Sequence, residues 1–242
     1  MINALNAVNF SYSLIPFLVS KFGLGGSVWT PVLTVLGVVL CIVVPYLLGS
    51  INSAIIVSKK MYKDDVRNHG SGNAGFTNIM RTYGKSAAII TFAGDILKTV
   101  VSILVGWCVF GYLTAYVAGA ASFIGHLYPV YYGFRGGKGV LSAATMILMV
   151  DWRIFLILLV IFVFLVAISK YISLGSTVCA MMFPILLNRM NYTGIYMIEF
   201  VAMFIGIVIV IKHRENLKRI LNGTESKFKF KKSKEVKTDA EQ

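Results

Sequence analysis

The chain has 242 residues, 57% of them hydrophobic, a mean hydropathy of +0.77 and a net charge of +13. A soluble domain of this size cannot hide that much apolar surface, which points instead to a bilayer as the solvent. The basicity alone would suit nucleic acid, but no helix-turn-helix, zinc spacing or stacking-aromatic pattern accompanies it; the expected partner is lipid, with no nucleic acid.

From the N-terminus, no Lys or Arg precedes Lys21, so the basic n-region of a signal peptide is missing. The stretch from Phe10 to Phe22, broken by Pro16, is expected as an interfacial helix on the outer face, with a loose extension as the alternative. Seven apolar stretches follow: 31–58, 86–110, 112–126, 139–150, 154–169, 173–189 and 195–211. The third and fourth are short for a hydrocarbon core of about 30 Å. The predicted fold class is an all-α integral membrane protein of about seven transmembrane helices. Its multi-span domain covers 29–226, between an N-terminal extension 1–28 and a basic tail 227–242.

With the loops assigned alternately to two sides, one side holds the loop 59–85, Arg135, Lys138, Lys170 and the tail from Lys212. That side carries nineteen of the 23 Lys and Arg residues. The positive-inside rule makes it cytoplasmic, so the N-terminus is expected outside and the C-terminus inside. The tail segment 227–237, KFKFKKSKEVK, is either a solvated tail or a segment drawn to anionic lipid. Cys41, Cys108 and Cys179 lie in apolar runs with no CxxC and read as small buried hydrophobes.

Three polar clusters fall on the cytoplasmic side. The first runs from His69 through Gly70, Ser71, Gly72, Asn73, Ala74, Gly75, Phe76 and Thr77 to Asn78, with Arg81 beyond. Such a chain is either a flexible connector or an anion nest with its N–H groups turned inward. In the second case Thr77 or Asn78 caps the helix entering the membrane, with Arg81 in its first turns. Ser71 and Arg81 both suit a phosphate. The second cluster is Gly125-His126-Leu127-Tyr128-Pro129, then Phe134-Arg135-Gly136-Gly137-Lys138-Gly139-Val140. Here two cations flank small residues that permit close backbone approach, but the GxxxxGK[ST] nucleotide loop is absent. The third is His213-Arg214-Glu215-Asn216, continuing to Arg219, Gly223 and Glu225, which reads either as a site or as an ordinary basic juxtamembrane stop. His213 and Asn216, three apart, share a helix face. Inside the second stretch, Asp95 and Lys98 are expected to pair, as a structural ion pair more than a catalytic one. Together the clusters describe a site for phosphorylated substrates at the lipid boundary.

These motifs carry a resemblance. Ser71-Gly72-Asn73 through Asn78 and Arg81, then GHLYPVYYGFRGGKGV, then HRENLKRILNGTE resemble the three signatures of the bacterial acyl-phosphate:glycerol-3-phosphate acyltransferases (PlsY type). Gly49-Ser50-Ile51 and Asp95-Ile96-Leu97-Lys98 match too, so the resemblance covers about 31–227. Where the family usually has Pro after Gly-Ser-Ile, this chain has Asn52. The resemblance implies acyl transfer from acyl phosphate to the 1-hydroxyl of sn-glycerol 3-phosphate, giving lysophosphatidic acid and phosphate in a bacterial inner membrane. It implies that Ser71 and Arg81 hold a substrate phosphate and that Asn73, Thr77 and Asn78 lie on the loop reaching into the site. Gly136, Gly137, Lys138 and Gly139 would form the phosphate-binding loop, and His213 and Asn216 would complete the site, with Glu225 more structural. Neither a cofactor nor a metal is expected. The hydroxyl proton can go to His213 or to a substrate phosphate; the latter is favoured, since no His–carboxylate pair stands at a familiar spacing. Of the competing classes, a transporter would place charges deep in several spans, whereas only Asp95, Lys98 and Glu199 lie there. A structural scaffold leaves the glycine loops unexplained.

Overall fold

The structure is a computed structural model and describes residues 13–26, 28–190 and 195–228. Among these the chain is helical, without strands. In order, the helices are α1 (Leu14–Lys21), α2 (Trp29–Ser50), α3 (Ser53–Tyr62), α4 (Phe76–Tyr83), α5 (Lys85–Phe110), α6 (Tyr112–Leu127), α7 (Val140–Val150), α8 (Trp152–Ser169), α9 (Ile172–Met190), α10 (Tyr196–Lys212) and α11 (Arg214–Leu221). Short 3₁₀ turns interrupt the chain at Val66–Asn68 and Val130–Tyr132.

Each of the seven apolar stretches is helical, but their lengths differ. Trp29–Tyr62 taken as one broken span, α5, α8 and α9 are long and apolar enough to cross a membrane. A fifth span arises if α10 and α11 are counted together across their 49° bend. By contrast α6 and α7 have 16 and 11 residues, about 24 and 16 Å at 1.5 Å per residue, short of a core of roughly 30 Å. The first stretch breaks at Ile51–Asn52. There Asn52 is extended and its side chain accepts the Ile55 N–H at 3.1 Å, capping α3.

Apolar side chains cover the outside, as a lipid-facing surface requires. On α8 only Ile154 and Leu158 are buried, while Val160, Phe164 and Ile168 are more than half exposed. The interior is held by small residues that let backbones touch. A Cβ on Gly49 would lie 2.1 Å from the Ser122 carbonyl oxygen, and one on Gly125 would lie 2.2 Å from that of Tyr46, so α2 and α6 meet backbone to backbone. Gly106 does the same between α5 and α6, where the Thr114 hydroxyl donates to its carbonyl at 2.7 Å. Tyr116, Phe123, Met146, Phe183 and Ile205 fill the space between α6, α7, α9 and α10.

Helix α1 packs Ile15 against Cys41 and Val109; residues 10–12 of the expected interfacial segment lie outside the described residues, as does the basic tail beyond Phe228. All three cysteines are free, but of the three only Cys41 is buried; Cys179 is half-buried and Cys108 is exposed on α5. The entry to the second span also differs from expectation. Phe76–Tyr83 is a separate short helix capped at Gly75, and α5 begins only after Gly84, at φ +87°. Thr77 and Asn78 therefore cap nothing, and Arg81 sits in the last turn of α4.

Candidate active site

One end of the bundle collects the three polar clusters. The first loop, 69–75, is organised by a single side chain. Asn78 is buried; its Oδ1 accepts the Ser71 N–H at 3.1 Å, and its Nδ2 donates to the carbonyls of Val66, His69 and Asn73 at 2.9–3.1 Å. The Gly72 N–H donates to His69 O and the Gly75 N–H to Asn73 O, both at 3.0 Å. The N–H groups of Ser71, Gly72 and Gly75 are therefore engaged inside the loop, unlike the nest that was one of the two alternatives for this stretch. Gly70 and Gly72 have φ of +57° and +68°, the left-handed turns that let the loop fold over Asn78. Outside this framework, Ser71 and Arg81 are exposed, and neither they nor Thr77 make a side-chain hydrogen bond to another described residue.

The second loop, 133–139, hangs from the end of α6. The Gly136 N–H donates to Leu127 O at 3.2 Å and the Gly137 N–H to His126 O at 3.1 Å. A Cβ on Gly136 would lie 2.0 Å from His126 O, and one on Gly137 would lie 2.1 Å from His126 Nε2 and 2.8 Å from Ala74 O. At Gly139, φ is +78° and a Cβ would strike Phe123 and Leu127. The glycines expected to bring backbone to a ligand thus bring it to the protein. Contact between Gly137 and Ala74 is also where the two loops meet. Asn52 adds a bond there, donating to Ala74 O at 3.3 Å.

Beneath Gly137 lies a buried ionic cluster. Lys98 Nζ reaches Asp95 Oδ1 at 2.9 Å, Ile51 O at 2.8 Å and His126 Nδ1 at 2.9 Å. Because an ammonium only donates, Nδ1 accepts and the neutral ring carries its proton on Nε2, the edge that faces Gly137. The expected Asp95–Lys98 pair is therefore present, and it has a third member.

Lys138 projects from the second loop to the third cluster, where Nζ donates to Asn216 Oδ1. Asn216 Nδ2 donates to Glu225 Oε1 at 2.6 Å; Glu225 also accepts from Ser173 Oγ at 2.9 Å and Arg219 Nε at 2.8 Å. Burial pushes the Lys138 ammonium down to about 8, with Arg219 and Arg81 adding to the effect and Glu225 opposing it. His213, just past the end of α10, points Nδ1 at Ile209 O at 2.8 Å. A carbonyl only accepts, so Nδ1 carries the proton and Nε2 is left as an acceptor. Burial and the neighbouring Lys138 hold this imidazole at about 4, and it is neutral at pH 7.

The structure thus brings Lys138, His213 and Asn216 together, with Arg81 in electrostatic reach of Lys138. It places Asn78, Gly136 and Gly137 in the framework, and Asn73 contributes its carbonyl to the same purpose. Three further contributors, Ser173, Asp65 and Arg67, were not picked out from the sequence. Ser173 reaches Glu225 from 52 positions away, with no local signal. Asp65 and Arg67 pair as i and i+2 immediately before the first cluster, a spacing that is visible in the sequence.

An all-helical bundle with apolar outer faces and a cationic, glycine-looped site at one end defines an integral membrane protein with a polar reaction centre. The chain belongs to the glycerol-3-phosphate acyltransferase family, whose pattern matches residues 39–223. It is 41% identical over 190 residues to a glycerol-3-phosphate acyltransferase of Thermoanaerobacter pseudethanolicus, covering 78% of this chain and 95% of that one. With the enzyme of the same name from Clostridioides difficile it shares 42% identity over 199 residues, at the same coverage. The crystal structure of PlsY (YgiH), an integral membrane glycerol 3-phosphate acyltransferase, in its glycerol 3-phosphate form, superposes with a TM-score of 0.74 and 34% identity. That match covers 79% of this chain and 96% of the other. The lysophosphatidic acid form of PlsY gives a TM-score of 0.71 at 32% identity.

Proposed function

We propose that this protein is a membrane acyltransferase that moves a fatty acyl group from acyl phosphate to the 1-hydroxyl of sn-glycerol 3-phosphate, releasing lysophosphatidic acid and phosphate. The observation that carries this reading is the meeting of Lys138, Asn216 and His213 with the Arg81 helix at one end of the bundle. The glycerol 3-phosphate and lysophosphatidic acid forms of PlsY match the acceptor and the product.

Acyl phosphate is a mixed anhydride with a good leaving group. The 1-hydroxyl oxygen bonds to the carbonyl carbon, the carbon–oxygen bond to phosphate breaks, and the hydroxyl proton ends on the departing phosphate. What the protein supplies is alignment and countercharge for two phosphorylated substrates. Ser71 and Arg81 hold one phosphate, and Lys138, just before the N-terminus of α7, holds the other. Asn216 and Glu225 fix the ammonium in place. A neutral His213 held at about 4 is a poor base at pH 7, which favours the substrate phosphate as proton acceptor and leaves His213 Nε2 to accept a hydrogen bond from the hydroxyl.

The active site faces the cytoplasm, on the side carrying nineteen of the 23 basic residues. Seven crossing elements, with α2 and α3 as one and α6 and α7 as short members, put the three clusters on that side. In support, the loops before α4 and α7 and after α10 gather at one end, while Tyr112 meets Val150 O at 3.2 Å. The test is product analysis with purified protein: lysophosphatidic acid and phosphate are expected from acyl phosphate and glycerol 3-phosphate. Product formed equally from an acyl thioester, or no product, would overturn the reading.

A further inference from the structure

Arg67 lies in the 3₁₀ turn before the first glycine loop, yet one arm of its guanidinium reaches across to the other loop. Nε and Nη2 grip both oxygens of Asp65, at 3.0, 3.2 and 2.7 Å, and the remaining Nη1 donates to Tyr132 O at 2.9 Å and Arg135 O at 3.3 Å. The anchor is itself fixed. Asp65 Oδ1 accepts the Arg67 N–H at 3.0 Å, and neighbouring Val66 is buried, its N–H on Ser58 Oγ and its carbonyl on Asn78.

The two carbonyls that Nη1 holds bracket a strained turn. Gly133 and Phe134 are consecutive left-handed residues, at φ +65° and +59°. For a bulky side chain such as Phe134 that conformation costs on the order of 1–2 kcal/mol, so the turn needs outside restraint. Its own restraint is two bonds to Pro129 O, from Tyr132 N at 3.1 Å and Phe134 N at 3.0 Å. Arg67 supplies the rest, on the stretch that ends three residues later at Lys138.

We propose that Arg67, seated on Asp65, is a positioning residue that straps the Tyr132–Arg135 turn to the framework of the first loop, so that Lys138 stays aligned with Ser71 and Arg81. This rests on the reading of Lys138 as a phosphate ligand. The strap makes the two loops one unit: the carboxylate fixes the guanidinium plane, and the guanidinium fixes the strained turn. Lysine cannot do this, since one ammonium cannot serve a carboxylate and two divergent carbonyls together.

Steady-state kinetics of Arg67→Lys test the strap directly. The expected result is at least about a tenfold loss of kcat/KM, chiefly as a raised KM for the phosphorylated substrates, with correctly folded protein in normal yield. The decisive variant is Phe134→Gly, at an exposed position outside the binding groups. Alone it should leave activity close to wild type; combined with Arg67→Lys it should recover several-fold, because glycine adopts the left-handed turn without the strain. Hydrogen exchange at the Gly136 and Gly137 amides should quicken in Arg67→Lys and slow again in the double variant. Wild-type kinetics for Arg67→Lys, or a loss that Phe134→Gly does not relieve, would overturn the strap. An active Lys138→Met protein would instead remove the underlying reading of the site, which separates the two failures.

Discussion

In the loop 69–75 one side chain does the holding, and in the loop 133–139 the backbone does. Asn78 stands at the centre of the first and satisfies four main-chain groups. The second has no such centre of its own: Arg67 holds its entry from outside, and Gly136 and Gly137 lie directly on the carbonyls of Leu127 and His126. Both are glycine-rich, but Gly70 and Gly72 serve φ in the first, whereas Gly136 and Gly137 serve proximity in the second. The first loop should therefore fail when a side chain is removed, and the second when a methyl group is added.

The largest effect should come from the second loop. Gly136→Ala or Gly137→Ala puts a Cβ at 2.0–2.1 Å from His126, so the loop must lift off α6. A displacement near 1 Å at a positioned group is worth about a hundredfold in rate, and that is the minimum loss expected for either variant. Gly133→Asn is the control. Nothing lies within 4 Å of a Cβ there, and asparagine tolerates the left-handed φ of +65°, so activity should stay within about threefold. Equal loss at both positions would mean that crowding against α6 is not what distinguishes them.

Asn78→Ala should act next, through stability as well as rate. It strands up to four loop groups, and about 3 kcal/mol of stability should be lost, given 1–3 kcal/mol for each buried polar group left unpaired. Asn78→Asp keeps the acceptor for the Ser71 N–H but none of the three donations, so it should behave nearly as badly. Thermal unfolding in detergent beside activity per folded molecule reads both. A fully stable Asn78→Ala enzyme that merely binds substrate poorly would move Asn78 from the framework to the binding groups.

Arg81 and Lys138, the cations of the two loops, sharpen the contrast. Arg81 is exposed, whereas Lys138 is half-buried and paired with Asn216. Arg81→Lys should raise KM for glycerol 3-phosphate while leaving the fold intact, since the forked grip on phosphate is lost. Arg81→Ala should lose about 2–4 kcal/mol of transition-state stabilisation, roughly thirty- to a thousandfold in kcat/KM. If Arg81 only anchors a helix at the membrane surface, insertion would change and specific activity would not.

How much of this was legible beforehand divides along the same line. The apolar runs announce the helices, and the cationic polar clusters announce a candidate site at one face, because desolvation makes lipid-facing helices and clustered cations compositionally loud. What glycine does is silent in sequence: the same Gly-rich string fits a nest around an anion or a close approach to a helix end, and only the position of His126 decides. The shortness of α6 and α7 was visible in the sequence, whereas the break at Ile51–Asn52, where Asn52 caps α3, was not. Glu225 illustrates both sides. Its place beside the third cluster was visible, but its bond to Ser173 depends on how α9 packs against the turn after α11.

The smallest expected effect is the pH response of the second loop's cation. In the native protein Lys138 releases its proton near 8, against an ordinary 10.5, because burial beside Arg219 and Arg81 outweighs Glu225. Phosphate binding needs the ammonium, so kcat/KM should be level near pH 7 and fall as pH rises through about 8, approaching tenfold per unit beyond it. A bound phosphate favours the charged form, so kcat at saturating substrate should fall later than kcat/KM. Stability moves the other way. Between about 8 and 10.5 the unfolded chain still holds this proton and the native state does not, so this group adds stability as pH rises across that window. His213, held at about 4, stays neutral throughout and does not shape this limb. Lys138→Arg keeps a cation whose proton does not leave in this range, so the alkaline limb should flatten even if the rate is lower. An unchanged limb in Lys138→Arg would assign the titration to another group and leave Lys138 without a measurable charge requirement.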